Sequence, residues 1–347
     1  METRVVKLDK DSKGILNEAG ALLRGGDLVA FPTETVYGLG ANAYDALACK
    51  RIFEAKGRPS DNPLIVHVSR PSEAENIAYT CPLYYELAKR FMPGPLTVIL
   101  PKREVIPPEV TAGLDTVAIR CPENEISRAL ISAAGIPIAA PSANASGKPS
   151  PTTASHVYND LNGKIPLILD GGASKFGVES TVISIKDGKI TILRPGSVTP
   201  KMLGELGASV EIAGAVKNEL KKGEVALSPG MKYKHYAPAA ALYLIDDNYI
   251  DFIKFAHEKQ KSENTAIMCY DEEIPYLDKE KLLPVGKKDD VAEQTKRLFD
   301  LLRQADDLGV QTVYAHLPND EGESLAIYNR MIRACAHRII GGKNGEE

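Results

Sequence analysis

Apolar positions along this chain fall into two alternating rhythms. Short runs such as Leu28–Phe31, Leu64–Val68, Thr97–Pro101, Thr116–Arg120, Ile138–Ala140 and Leu167–Leu169 have the length and β-branched content of strands. Between several of them lie stretches of helical period. Ile15, Leu16, Ala19, Leu22 and Leu23 share one helix face, with Asp11 or Ser12 before it as cap and Gly25-Gly26 as stop. Asp45 can cap the next helix, which ends near Lys56-Gly57. Arg4–Leu8 reads as a further strand.

Ser180–Ile185 and Lys189–Leu193 flank Asp187-Gly188, a hairpin signal that interrupts a purely parallel arrangement. The predicted fold class is α/β: a twisted mixed sheet covered by helices over residues 1–212. The pattern falters across residues 213–240, a linker rich in Lys that contains SPGMKYKHYAP (228–238). A smaller Rossmann-like α/β domain is expected over 241–340. Its strands lie near Ala241–Leu244, Thr265–Cys269 and Thr312–Ala315, and its helices near Tyr249–Gln260, Val291–Leu308 and Ser324–Ile339.

Composition narrows the function classes. The chain has 347 residues, 44% hydrophobic and 25% charged, which suits ordinary globular domains. Residues 1–212 carry 23 basic and 23 acidic side chains, so no broad surface for nucleic-acid phosphates is indicated; the count leaves room for a local basic patch. The five cysteines are scattered without a C-x-x-C pair, which argues against a disulfide framework or zinc site and for a reducing, cytoplasmic compartment. The charged N-terminus METRVVKLDKD lacks a signal core, and no apolar run reaches membrane-spanning length.

Familiar nucleotide and hydrolase motifs fail. There is no G-x-x-x-x-G-K-[ST] loop, because Gly147-Lys148 is followed by Pro149 and Gly163-Lys164 by Ile165. Gly38-Leu39-Gly40-Ala41-Asn42-Ala43 fits the loose dinucleotide pattern. Pro32–Tyr37 separates it from the preceding strand, however, so turn glycines are the favoured reading. No G-x-S-x-G elbow surrounds Ser142.

What remains is a set of polar groups at strand ends. In KGRPSDNP (56–63), Pro59 favours extended backbone at Arg58, so Lys56 and Arg58 could project together as a polyphosphate clamp, with Ser60 and Asn62 repeating the spacing. PSANASGKPSP (141–151) follows the strand Ile138–Ala140, where ligands of open α/β sheets bind, and offers Ser142 and Asn144. Arg120, His67, Thr35, Ser180-Thr181 and Arg194 occupy other strand ends or loops. Arg120 suits a carboxylate, although a structural salt bridge is the leading reading for Arg120 and Arg194 taken singly. No metal-ligand pattern appears, so none of these residues is assigned to a metal.

Several of these stretches together resemble the YrdC-like L-threonylcarbamoyladenylate synthases: PTETVYGLG (32–40), KGRPSDNPL (56–64), GPLTVIL (94–100), VAIRCP (117–122), PSANASGKPSPT (141–152), ESTV (179–182) and ILRPG (192–196). SPGMKYKHYAP and the residues after 241 resemble the linker and C-terminal domain of the longer members.

The resemblance implies an enzyme, a nucleotidyltransferase that joins L-threonine, bicarbonate and ATP into threonylcarbamoyl-AMP and pyrophosphate, with Mg2+ bridging phosphates. It implies Lys56, Arg58, Ser142 and Asn144 around the nucleotide and the reacting carbamate. Asn62, Ser150 and Arg194 are implied as further nucleotide contacts, with Tyr233 in a linker that could close as a lid. Thr35, His67, Arg120 and Ser180 are implied as the threonine site. A downstream tRNA threonylcarbamoyl transferase that modifies adenosine-37 is the implied partner, and a weak tRNA contact by this chain is a further expectation.

Overall fold

The computed structural model describes residues 2–9, 12–218, 236–262 and 264–341. By its contacts the chain divides into two compact units. One is Met1–Ser146 with Ser150–Lys232; the other is Gly147–Pro149 with Tyr233–Glu347.

The first unit runs β1 (Arg4–Lys7), α1 (Lys13–Arg24), β2 (Val29–Phe31), β3 (Gly38–Asn42), α2 (Ala46–Lys56), β4 (Ile65–His67), α3 (Pro82–Phe91), β5 (Leu96–Pro101), α4 (Pro108–Thr111), β6 (Thr116–Arg120), α5 (Glu125–Ala134), β7 (Ile138–Ala140), α6 (Ala154–Leu161), β8 (Leu167–Asp170), β9 (Thr181–Lys186), β10 (Lys189–Arg194), α7 (Pro200–Gly204) and β11 (Val210–Ile212). Its strands form one mixed sheet in the order β1-β8-β2-β3-β7-β4-β6-β5-β9-β10-β11. Period-two alternation separates two faces. Ala30, Leu39, Ala139 and Ile168 pack in one core with α2, α3 and α6. Val29, Phe31, Ile138 and Leu167 pack in another with α1 and α5.

Local chemistry accounts for the element ends. The Asp45 side chain accepts from the backbone N–H groups of Leu47 and Ala48 at the start of α2, and Gly57 ends that helix in the left-handed region. Asp187 and Gly188, both at positive φ, close the antiparallel β9–β10 hairpin. Ser12 differs from expectation. It stands at the cap position of α1 and its carbonyl accepts from the Leu16 N–H, but its side chain makes no cap bond and donates instead to Asp9.

Gly38 and Gly40 also differ, because they lie in strand β3, not in a turn. Neither is at positive φ; a Cβ on Gly40 would sit 2.8 Å from Ile138 Cγ2 and 3.0 Å from the Phe31 ring. The glycines make room for an aromatic side chain laid across the strand. β3 and β11 went unrecognised, the first because its glycines masked the strand pattern.

The second unit carries β12 (Ala241–Asp246), α8 (Tyr249–Ser262), β13 (Thr265–Cys269), β14 (Leu282–Pro284), α9 (Val291–Asp307), β15 (Thr312–His316), α10 (Leu325–Ala334) and β16 (Ile339–Gly341). Among the described residues its five strands are all parallel, in the order β14-β13-β15-β12-β16. β13 is buried along its whole length, as a parallel strand covered on both faces must be. The three-residue strands β14 and β16 were too short to show a period. No helix among the described residues is long and apolar enough to cross a membrane.

Candidate active site

The register of the sheet sets most of the site. β4 and β6 are parallel and pair His67 with Arg120; β5 runs against β6 and pairs Thr97 with Arg120. β9 lies parallel to β5, with Leu96 opposite Thr181, so Ser180 arrives at the same end. Four chain segments therefore deliver His67, Arg120, Thr97 and Ser180 side by side, and all four are buried. Thr97 Oγ1 and Ser180 Oγ are 2.7 Å apart. Arg194, at the end of β10, donates through Nε to the Ser180 carbonyl and through a terminal nitrogen to Ser180 Oγ, each at 3.1 Å. The structure thus places Arg194, read as a nucleotide contact, against Ser180 of the threonine set.

Arg120 meets a carboxylate that sequence reasoning passed over. Its guanidinium donates to Glu34 Oε1 at 2.6 Å, and both side chains are about 95% buried (5% and 3% exposed). Burial opposes ionisation of Glu34, but the charge and hydrogen bond of Arg120 outweigh it and hold the carboxyl below its ordinary range. Arg120 Nε is sealed from solvent with no partner among the described residues, so this guanidinium retains a donor for something else.

His67 stands edge-on to Phe31, with ring centroids 6.0 Å apart. Its Nδ1 lies 3.1 Å from the Ile65 carbonyl, and the ring also meets the backbone of Ile138. Burial, and then the neighbouring Arg120 charge, push its pKa down to about 3, so the imidazole is neutral at physiological pH.

A second cluster forms where α2 ends. Lys56 is helical and buried, and its ammonium donates to the carbonyls of Ser142 (2.6 Å) and Asn144 (2.5 Å) and to Asn144 Oδ1 (3.3 Å). Ser142 Oγ donates to the same Oδ1 at 2.5 Å. The Lys56 carbonyl in turn accepts from the Ser146 N–H at 2.8 Å. Two loops more than 80 residues apart in sequence are thereby tied together.

The expected extended-chain clamp is corrected in one respect. Because α2 includes Lys56 and Gly57 turns left-handed, Lys56 and Arg58 are not alternate residues of one extended strand. Arg58 donates to the Asn62 carbonyl at 3.1 Å and lies over the Phe53 ring. Asn62 is fully buried, and neither polar atom of its side chain has a partner among the described residues, whereas Ser60 is exposed.

Segment 33–38 connects the two clusters. Thr33 and Thr35 share a 2.9 Å hydroxyl contact, and Glu34 holds Arg120. The Tyr37 N–H donates to the Pro151 carbonyl, the Tyr37 carbonyl accepts from the Ala143 N–H, and Gly38 bridges Ser142. Ser150 Oγ donates to Glu179 Oε1 at 2.5 Å, both residues buried. Glu34 and Glu179 were visible only as single carboxylates inside PTETVYG and VESTV; their partners lie far off in sequence, which no local pattern reports. Tyr233 and most of the segment read as a lid lie outside the described residues. Among the described residues, no group of three or more His, Cys, Asp or Glu is placed to hold a metal ion.

With this geometry in view, the likeness to known proteins is specific. The Sua5/YciO/YrdC family model, described as "Telomere recombination", matches residues 21–196, and the model of the threonylcarbamoyl-AMP synthase C-terminal domain matches residues 198–336. Threonylcarbamoyl-AMP synthase of Pyrococcus abyssi is 46% identical, covering 93% of this chain and 94% of its own length. The protein of the same name from Bacillus subtilis is 43% identical over 93% of each. The crystal structure of P. abyssi Sua5 complexed with L-threonine superposes with a TM-score of 0.90 at 42% identity, covering 97% of this chain and 99% of that one. The chain belongs to the Sua5/YciO/YrdC family of threonylcarbamoyl-AMP synthases, in the form that carries the C-terminal domain.

Proposed function

We propose that this chain makes threonylcarbamoyl-AMP from L-threonine, bicarbonate and ATP. The threonine amine takes up the carbon of bicarbonate with loss of water, giving a carbamate. A carbamate oxygen attacks the α-phosphorus of ATP, and the bond to pyrophosphate breaks. Such a reaction needs alignment and charge compensation more than a protein nucleophile.

The observation that supports this most is the tie between Lys56 and the Ser142–Asn144 loop. It sets an ammonium, a hydroxyl and a carboxamide together at a strand end, the equipment for a phosphoryl group and the oxygen attacking it. In this reading Arg58, Asn62 and Ser150 contribute around the nucleotide. Arg120, kept in place by Glu34, turns donors not spent on Glu34 to the threonine carboxylate, and Thr35, His67 and Ser180 complete that subsite. Arg194 acts through Ser180. The P. abyssi relative was crystallised in complex with L-threonine, which supports threonine as a substrate here.

Mg2+ would supply charge compensation on the triphosphate. The adenylate would pass to a tRNA threonylcarbamoyl transferase in the cytoplasm. The test is pyrophosphate release with threonine, bicarbonate and ATP omitted in turn, and mass detection of the adenylate. Release that persists without threonine, or without bicarbonate, refutes the reaction.

A further inference from the structure

A cavity of about 800 Å³ opens between α5 and the 3-10 turn Pro71–Asn76, lined among others by Ser69, Arg70, Glu73, Asn76, Arg128 and Ser132. None of these residues belongs to either cluster described above. The volume lies within the range of small-molecule sites.

The charges around it are unevenly satisfied. Glu73 is saturated: Oε1 accepts from Ser69 Oγ (2.8 Å) and Arg70 Nε (3.1 Å), and Oε2 from the Ser69 N–H (2.9 Å), Ser69 Oγ (3.1 Å) and the Arg70 N–H (3.4 Å). Arg128 has the opposite fate. Its Nε is sealed from solvent without a partner, and its guanidinium makes no hydrogen bond or ion pair among the described residues. Glu125, one turn earlier on α5 and lining the same cavity, is exposed and does not pair with it. The sealed Nε–H of Arg128 is a donor without an acceptor, which costs free energy, and the cavity that Arg128 lines leaves room for one beside the guanidinium.

We propose that this cavity is a second ligand site, one that binds the oxyanion of a small molecule, phosphate or carboxylate, through the fork of Arg128. The planar donors of arginine match such an oxyanion in two places. Asn76 and Ser132 supply neutral hydrogen-bonding groups at the wall. The inference is independent of the reaction proposed above, because no residue of that reaction is used.

The experiment follows the Arg128 Nε–H resonance in the full chain labelled with 15N-arginine. Its cross-peak is the one lost in Arg128→Lys; should that variant fail to fold, its displacement in Ser132→Phe identifies it. Inorganic phosphate and acetate are titrated separately, with ionic strength held constant by chloride. A saturable shift with phosphate, acetate or both is expected, and the pattern tells which oxyanion is preferred. Ser132 is exposed, so Ser132→Phe leaves the fold intact while filling the cavity. It should weaken the response about ten- to a hundredfold, the worth of a hydrogen bond to a charged group. A cross-peak that neither anion moves, that chloride moves equally, or that responds unchanged in Ser132→Phe overturns the site.

Discussion

The two polar clusters of the first unit hold their cations in different ways. Arg120 is locked against a buried carboxylate, with a 2.6 Å bond to Glu34. Lys56 is held by neutral oxygens, the carbonyls of Ser142 and Asn144 and a carboxamide. A guanidinium neutralised by a buried partner is fixed in direction, and what it offers a ligand is geometry. The Lys56 ammonium instead ties two loops together at a strand end. The first arrangement suits recognition of a small zwitterion, and the second positions the loops proposed to hold the polyphosphate.

The largest effect expected from breaking this contrast is at Glu34. Glu34→Ala leaves the Arg120 charge buried without its carboxylate, which costs about 3–5 kcal/mol of stability. Denaturant unfolding measures it. A second substitution, Arg120→Leu, removes the stranded charge and should restore most of that stability while threonine binding stays lost. If Glu34→Ala alone is neutral, the pair does not fix Arg120.

Lys56→Ala should lose some stability, because its bonds to the Ser142–Asn144 loop go, and the folded fraction should lose roughly 10²–10³ in turnover, the scale for removing one group that stabilises developing charge. Arg58→Ala should lose a similar factor. Rates of threonine-dependent pyrophosphate release measure both. Near-normal turnover in both variants would remove these cations from the mechanism and leave only the recognition cluster standing.

The sequence carried one cluster better than the other. Lys56, Ser142 and Asn144 were found because each sits in a stretch dense in small polar residues, and the strand before Pro141 located one loop. The Arg120 cluster was found in part. Strand ends pointed to His67 and Arg120, but Glu34 pairs across 86 positions and leaves no trace in spacing. The fold shows the same limit. Strands with a run of apolar residues were legible, whereas β3, with two glycines in five positions, looked like a turn because its side-chain space is filled from Phe31. In the site, what was missed was a partnership between distant segments.

A smaller effect appears within the Arg120 cluster as pH falls. The His67 pKa falls from its ordinary 6.5 to about 3 in the folded chain. Between those values the unfolded chain holds a proton that the folded chain does not, so stability declines as pH falls from 6.5 toward 3. Glu34, with its folded pKa below 4.5, contributes fully above that value and loses its contribution only as pH drops through the depressed pKa. His67→Gln should therefore flatten the dependence of Tm on pH between 6.5 and 4.5, and leave the steeper fall at lower pH. Equal slopes for wild type and variant in that upper window would mean that His67 accepts a proton in the folded state.

The smallest effect tests whether the glycines of β3 serve packing or nucleotide binding. An added methyl at Gly40 meets Ile138 Cγ2 at 2.8 Å and the Phe31 ring at 3.0 Å, whereas at Gly38 the nearest Phe31 atom is 3.1 Å away. Overpacking of this kind costs about 1–3 kcal/mol. Gly40→Ala should therefore be the more destabilising of the two, with ATP affinity unchanged in whatever fraction stays folded. Phe31→Leu in the same chain should recover part of the loss, because the shorter side chain gives way to the methyl. A dinucleotide-type loop behaves in the opposite manner: the methyl would block the close approach of backbone to phosphate, ATP affinity would collapse, and Phe31→Leu would restore nothing. That outcome would move the nucleotide from the Lys56 loops to β3 and dissolve the contrast between the two cations.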